Sequence, residues 1–444
     1  MTVSRTICLG FLGVITVGAL LLTMPFSIAS GTGDSFVTAL FTSTSAVCVT
    51  GLVVVDTGSH YSFWGQVIIA LLIQVGGLGY MTATTFLLLV LRRRFKLRER
   101  IAIQQSLDKT GLANVTQLVQ SIIATTLIIE LTGVFLLMTV FVREHGFKRG
   151  IWEALFHSVS AFNNAGFGLF PDNIMSYVGS PLINFTIPGL VILGGIGYQV
   201  IMEFYFWCRH LVLRKTERFN FSLNFKVATN TTLILLIGGT LVMLLAELHN
   251  PNTLKPMSWG VKWQAAWFQS VVTRTAGFNS IDISQMTVAG WFAMIILMFV
   301  GANPGGTGGG IKTTTMRVLT NATQAVLQGR EDVLVYQRQV PVELILKAVG
   351  VVMGSMTTIV LATAFITVTD PDIEFINILY EVVSAFATVG LSTGITAQVS
   401  TIAKLILIAV MYIGRVGILL LMSALLGDPK PTSIEYPEES LLVG

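Results

Sequence analysis

Apolar runs of two lengths alternate along this chain. Long runs lie near residues 6–25, 62–91, 114–142, 179–208, 224–248, 281–328, 342–368 and 397–426, the sixth of them interrupted. A helix needs about 20 apolar residues to cross the roughly 30 Å hydrocarbon core of a bilayer. Eight spans are therefore expected. Between the members of each pair sits a shorter run, at 34–47, 149–162, 261–273 and 372–386. Helices of that length cannot cross, so they are predicted to re-enter the membrane or lie at its surface. Composition agrees: 53% of residues are hydrophobic and 11% charged, against about 25% charged in soluble domains. The pattern describes an integral membrane protein. Its first run is expected to be retained as a span, because no small-residue cleavage site precedes the next segment.

Basic residues gather in alternate loops. Arg92, Arg93, Arg94, Lys96, Arg98, Arg100 and Lys109 follow the second long run. Arg209, Arg214, Lys215, Arg218 and Lys226 surround the junction of the fourth and fifth, and Arg330 and Arg338 follow the sixth. The remaining loops carry chiefly Arg143, Lys148, Arg149, Lys255 and Lys262. The positive-inside rule then puts both termini in the cytoplasm, with the short helices dipping in from outside. The net charge of +4 resides in these loops and implies no nucleic-acid partner. Cys8, Cys48 and Cys208 are too few and too scattered for a disulfide framework or thiol metal site. His60, His145, His157, His210 and His249 show no metal-ligand spacing.

The short runs end alike: "SAVCVTGL" (45–52), "SAFNNAGF" (160–167), "VVTRTAGF" (271–278) and "SAFATVGL" (384–391). Each has a glycine followed by Leu or Phe. Gly51, Gly166, Gly277 and Gly390 stand 115, 111 and 113 residues apart, close to a quarter of the 444-residue chain. Four such octapeptides in step, each between two long runs, signal a fourfold internal repeat. The expected fold is an all-α membrane protein of four membrane–pore–membrane repeats, with eight spanning and four re-entrant helices in pseudo-fourfold symmetry around one pore. The repeats would occupy 1–113, 114–223, 224–340 and 341–444.

Non-helical backbone is tolerated at membrane depth only where it lines a cavity or is buried in protein. Four extended strands around one axis can aim carbonyls inward and replace the water shell of a cation. Glycine supplies the left-handed angles this needs, and the negative ends of four short helices favour a cation at the centre. The expected filter is Cys48, Val49, Thr50 and Gly51; Asn163, Asn164, Ala165 and Gly166; Arg274, Thr275, Ala276 and Gly277; and Ala387, Thr388, Val389 and Gly390. The competing expectation is that these glycines only let helices pack closely.

These motifs resemble those of the Ktr/Trk/HKT superfamily of potassium transporters, most closely its KtrB-type membrane subunits, over essentially the whole chain. The resemblance implies one pore per subunit, potassium selectivity with a glycine in each quarter of the filter, and potassium as substrate with sodium as activator. It implies no covalent cofactor and no enzymatic activity. It also implies a cytosolic ring of KtrA-type nucleotide-binding subunits, which alone would bring in ATP or ADP, and a homodimer of pores in the cell membrane. Arg274 is expected to point away from the ion and to be held by a partner.

"GANPGGTGGG" at 301–310 breaks the sixth run. It is not a phosphate loop, because that motif needs Lys directly after its last glycine and Ile311 intervenes before Lys312. Each following span has its own glycine cluster: "VGGLGY" (75–80), "GGIGY" (194–198), this stretch, and "IGRVG" (413–417). Gly301 follows Gly277 by 24 residues, and Gly414 follows Gly390 by the same interval. One depth is thus interrupted in the third repeat and carries Arg415 in the fourth. In the resembled family this is an intramembrane gating loop: here Gly301, Ala302, Asn303, Pro304, Gly305, Gly306, Thr307, Gly308, Gly309 and Gly310, with Lys312 and Arg415 beside it. A charge in the membrane interior is functional by default; an ion pair fastening helices is the alternative for Arg415.

Glu130 and Glu203 are expected to hydrogen-bond to polar neighbours. Asp56 and Asp172 either attract cations at the mouth or cap turns. The basic stretch 92–113 is expected to rest on anionic lipid or dock a partner, and 316–341 to serve as a handle for the ring. A secondary transporter of another cation or small solute would also use broken helices, but its repeats are usually inverted. No nucleophile, metal or cofactor motif of a membrane enzyme is present in the spans.

Overall fold

Hydroxyl side chains start many of the helices. Ser35, Ser62, Ser222, Thr287 and Ser400 each accept a hydrogen bond from the backbone N–H three residues on, a cap that contributes about 1 kcal/mol. The structure, a computed structural model, describes residues 3–79, 115–214 and 219–427. The basic stretch 92–113, residues 80–91 of the second long run, Lys215, Arg218 and the tail from 428 lie outside the described residues.

Four long apolar helices are continuous: α1 (Val3–Thr23), α4 (Val115–His145), α8 (Leu223–Glu247) and α12 (Val342–Thr369). The four short helices fall where the sequence predicts them: α2 (Phe36–Val47), α5 (Phe147–Phe162), α9 (Trp259–Val272) and α13 (Phe375–Phe386). After each short helix comes a helix that stops or bends at its glycine cluster. These are α3 (Phe63–Leu78); α6 (Pro181–Gly195) with α7 (Tyr198–Val212); α10 (Val288–Phe299) with α11 (Thr313–Leu327); and α14 (Thr401–Val416) with α15 (Ile418–Leu426).

The interruption expected in the third repeat is present, between Phe299 and Thr313, and it is not alone. The α6–α7 pair bends by 104° and the α14–α15 pair by 96°, and α3 ends at Gly79. Gly79, Gly197 and Gly417 share one conformation, φ 79 to 94° and ψ 132 to 141°. A side chain is strained there, and glycine is not. Among the described residues, four continuous helices and two bent pairs are long and apolar enough to span. The expected all-helical character has one small exception, a hairpin of β1 (Leu334–Val335) and β2 (Arg338–Gln339) after α11.

Burial runs opposite to that of a soluble protein. Ile128, Phe135, Leu245 and Phe365 are 62–71% exposed on the outer faces. Ser43, Ser45, Ser158, Asn163, Asn164 and Ser384 are fully buried. Outward apolar faces fit a lipid surround, and inward hydroxyls and amides need internal partners there. First and last helices meet: Arg5 Nε donates to Ala424 O at 2.7 Å, and the Tyr412 hydroxyl to Cys8 O at 2.9 Å.

The glycine clusters also bring helices onto the short ones. A methyl group at Gly76, Gly194 or Gly414 would overlap the carbonyl of Val47, Phe162 or Phe386, each at or next to the last residue of a short helix. Substituting Gly414→Ala should therefore lower the melting temperature of the detergent-solubilised protein, by an overpacking cost of about 1–3 kcal/mol. Gly238→Ala, within α8 with open space beside it, should leave the melting temperature unchanged or slightly raised.

Candidate functional site

The four short helices deliver four strands to one place. A Cβ built on Gly51 would lie 2.5 Å from Ala165 O and 3.0 Å from Gly166 Cα; on Gly166, 2.6 Å from Gly277 Cα. On Gly277 it would lie 2.8 Å from Val389 O and 3.4 Å from Gly390 Cα, and on Gly390, 2.9 Å from Gly51 Cα. The contacts return to their starting point in chain order, so the four backbones close a ring. All four glycines have φ between 69 and 92°.

Two residues earlier the backbone is again left-handed, at Val49, Asn164, Thr275 and Thr388 (φ 50 to 62°). Such angles are rare outside glycine and exceptional for β-branched residues. Each costs on the order of 1–3 kcal/mol and persists only where its surroundings enforce it, commonly at functional sites. The enforcement is visible. Thr50, Ala165 and Val389 donate their N–H to the carbonyls of Ser45, Ser160 and Ser384 at 2.8 Å. The Ser45 and Ser384 hydroxyls accept from the N–H of Gly51 and Gly390 at 3.0 and 3.1 Å.

The third quarter departs from this plan. Val271 stands where the others have serine, its helix ends at Val272, and Ala276 N–H bonds Val272 O at 3.0 Å instead. Arg274 is buried, but the partner expected for it is absent: its Nε and Nη1 have no acceptor among the described residues.

A further set of residues, nine before three of the four glycines, was not singled out by the sequence; in the third quarter that position is Phe268. Thr42 accepts from the Tyr61 hydroxyl at 3.1 Å, His157 Nε2 from Leu169 N–H at 3.3 Å, and Glu381 from Ser392 Oγ at 2.8 Å and from Thr396. Each ties a short helix to the chain beyond the glycine. Their shared offset from the glycines was the readable signal.

Residues 301–310 lie against this ring. Thr307 Oγ1 donates to Asn164 Oδ1 at 2.8 Å, and Gly309 N–H to Thr388 Oγ1 at 3.2 Å. A Cβ on Gly310 would lie 3.2 Å from Ala387 O. Asn303 and Thr307 donate their N–H to Gly195 O and Gly194 O, both at 3.0 Å. Gly305 O accepts from Tyr198 N–H at 3.1 Å, while Gly301 N–H bonds Ile311 O at 2.8 Å. Pro304 and Gly306 sit at the outer turn, Gly305 is exposed there, and Ala302 and Gly308 are buried.

Arg415 forms no ion pair with any described residue. Its Nη1 donates to Thr307 O, and its Nη2 to Gly76 O and, at 3.4 Å, to Gly77 O. It thus pins the loop to the carbonyl end of α3, where a cation is favoured. Lys312 Nζ donates to Gly308 O at 2.7 Å.

The other acidic residues are hydrogen-bonded. Glu130 accepts from Asn163 at 3.0 Å and Gln74 at 3.3 Å, and Glu203 from Ser222 and Gln199. Asp56 and Asp172 cap turns at Ser59 and Ser176.

The chain matches the profile of the TrkH family, described as a cation transport protein, over residues 14–430, and belongs to that family. It is 42% identical to the Ktr system potassium uptake protein B of Vibrio alginolyticus, covering 99% of this chain and 94% of that protein. It is 37% identical to the protein of the same name from Bacillus subtilis, covering 100% and 97%. It is 35% identical to the potassium/sodium uptake protein NtpJ of Enterococcus hirae, covering 99% and 97%. The crystal structure of the potassium transporter TrkH from Vibrio parahaemolyticus shares the fold, with a TM-score of 0.73 at 19% identity over 95% of this chain and 85% of that one.

Gly277→Ser places a side chain 2.8 Å from Val389 O and 2.9 Å from Gly166 Cα at a φ of +69°. Potassium affinity in uptake assays should fall about tenfold, from some 1–2 kcal/mol of backbone strain, together with discrimination against sodium. Unchanged values for both would remove Gly277 from the ion path.

Proposed function

We propose that this member of the TrkH cation transport family carries potassium across the cell membrane, through a filter built by the four strands ending at Gly51, Gly166, Gly277 and Gly390. The closed ring of glycines carries the reading. Left-handed residues at the second and fourth positions of each strand interrupt the alternation of an ordinary extended chain, which suits carbonyls that replace a cation's water shell. The repeat boundaries 1–113, 114–223, 224–340 and 341–444 follow from the same symmetry, each repeat holding an outer span, a short helix, a strand and a second apolar helix that ends or bends at its glycine cluster.

Residues 301–310 form the gate in this reading. They contact the second and fourth strands, and Arg415 pins them to the first repeat. Arg415 adds a positive charge to a cation path, and Lys312 anchors the loop's far side. The α11 helix leads directly out of the loop, so the hairpin beyond it is the handle for a cytosolic KtrA-type ring whose nucleotide sets the gate. The Ktr system named for two relatives supports a partner subunit, and the potassium/sodium uptake named for NtpJ supports a part for sodium, which in this reading is that of activator. A homodimer with both termini cytoplasmic completes the proposal.

Potassium-requiring cells expressing the chain with its ring partner should take up rubidium, and less without the partner. Deleting Pro304–Gly309 should raise the maximal rate several-fold with a smaller change in affinity, because no filter residue is removed. Arg415→Ala should act in the same direction, and the double change should give less than the sum. Loss of flux with intact membrane insertion would remove the gate from this account.

Topology has its own test. A reporter fused after Gly329 should label as cytoplasmic, and one after Pro251 as external. Reversed labelling would overturn the assigned orientation.

A further inference from the structure

Arg274 has a property that a potassium path does not explain. It is 7% exposed, and its Nε and Nη1 have no acceptor among the described residues. No carboxylate pairs with it there, since the described ion pairs involve only Asp34, His60, His145, Arg149 and Glu153. An uncompensated buried charge is strongly destabilising, and a guanidinium does not shed its proton to escape the cost. Something beyond the described side chains must meet it.

Arg274 also lines a small cavity. Its volume is about 20 Å³, and Arg274, Asn164, Thr232 and Asn303 line it, between the third strand and the loop at 301–310. That is room for about one water-sized particle. The neighbouring amides are already engaged. The Asn164 amide nitrogen donates to Arg274 O at 3.1 Å, and the Asn303 amide nitrogen donates to Thr232 Oγ1 at 3.0 Å. Thr232 accepts that bond and keeps its own hydroxyl proton for the cavity. The side-chain groups left open are therefore donors, one of them charged, and the other side chains of the wall are largely apolar, from Val191, Ile192, Ile196 and Val271. Donors without an open carboxylate, in a space for one particle, select a small anion and repel a cation.

We propose that this cavity binds one monovalent anion, of the size of chloride, held by the Arg274 guanidinium and the Thr232 hydroxyl. The anion would neutralise a positive charge beside the ring of glycines. It would also rest against Asn303, and so tie the loop to the third strand.

The test holds potassium constant and measures no flux, so its failure would leave the transport reading standing. The full-length protein would be melted in potassium chloride and in potassium gluconate of equal ionic strength, and crystallised in potassium bromide. Chloride should raise the melting temperature by mass action. The chloride concentration giving half the shift should rise about tenfold or more in Arg274→Gln, which removes a charge-assisted bond, and by less in Thr232→Val. Bromide should give an anomalous peak within hydrogen-bond distance of Arg274 Nε. Should Arg274→Gln fail to fold, the bromide map of the unaltered protein decides alone. A cavity holding only water in that map, or a chloride shift unchanged in Arg274→Gln, would overturn the proposal.

Discussion

Four backbones meet around one axis at separations that leave no space for a side chain, and the rest of the molecule is arranged around that approach. Each of the four contributes a glycine whose missing Cβ would strike the next strand. Left-handed angles two residues earlier cost free energy at Val49, Asn164, Thr275 and Thr388. The short helices, their serine clamps and the ties made by Thr42, His157 and Glu381 hold those angles in place. A second tier of glycines, Gly76, Gly194 and Gly414, lets the long helices close on the ends of the short ones. The outer helices then need only be apolar and long enough.

The loop at 301–310 is held by many weak bonds rather than by a packed apolar core. It bonds to backbone at Gly194 and Gly195, to Asn164 and Thr388 on two strands, and to Arg415. Each such bond contributes about 0.5–1.5 kcal/mol net. An element of this kind can be displaced when a few of those bonds are exchanged for others, a property in keeping with the gate proposed for it. Arg415 belongs to that network through carbonyls. A guanidinium bonded to carbonyls stays charged, whereas a carboxylate partner would have cancelled its field.

The third quarter of the ring is the unequal one. Val271 cannot offer the hydroxyl that Ser45 and Ser384 offer, its helix ends a residue early, and Arg274 brings a buried charge. The same repeat carries the long interruption at 301–310. A less firmly clamped strand next to this loop concentrates the departures from symmetry on one side of the ring.

Much was legible in the chain because the signals are periodic. Apolar run length gave the four short helices to within three residues and the four continuous long helices closely, since a bilayer admits few lengths and a helix has a constant rise. The spacing of Gly51, Gly166, Gly277 and Gly390 gave the repeat, and with it the neighbourhood of the loop. What one dimension could not show was contact between residues distant along it. The ring order of the glycines, the attachment of Arg415 to Gly76 and Thr307, and the missing partner of Arg274 arise only when the quarters are assembled. The bends at Gly197 and Gly417 belong with these: glycine permits both a straight and a bent helix, and only packing against the short helix ends selects the bend. The sequence determined which segments are helical and where the four short helices with their glycines fall, because those depend on local hydrophobicity and local motifs. The tertiary structure decided which charges are paired, which glycines touch and which helices break, because each of those depends on what stands opposite.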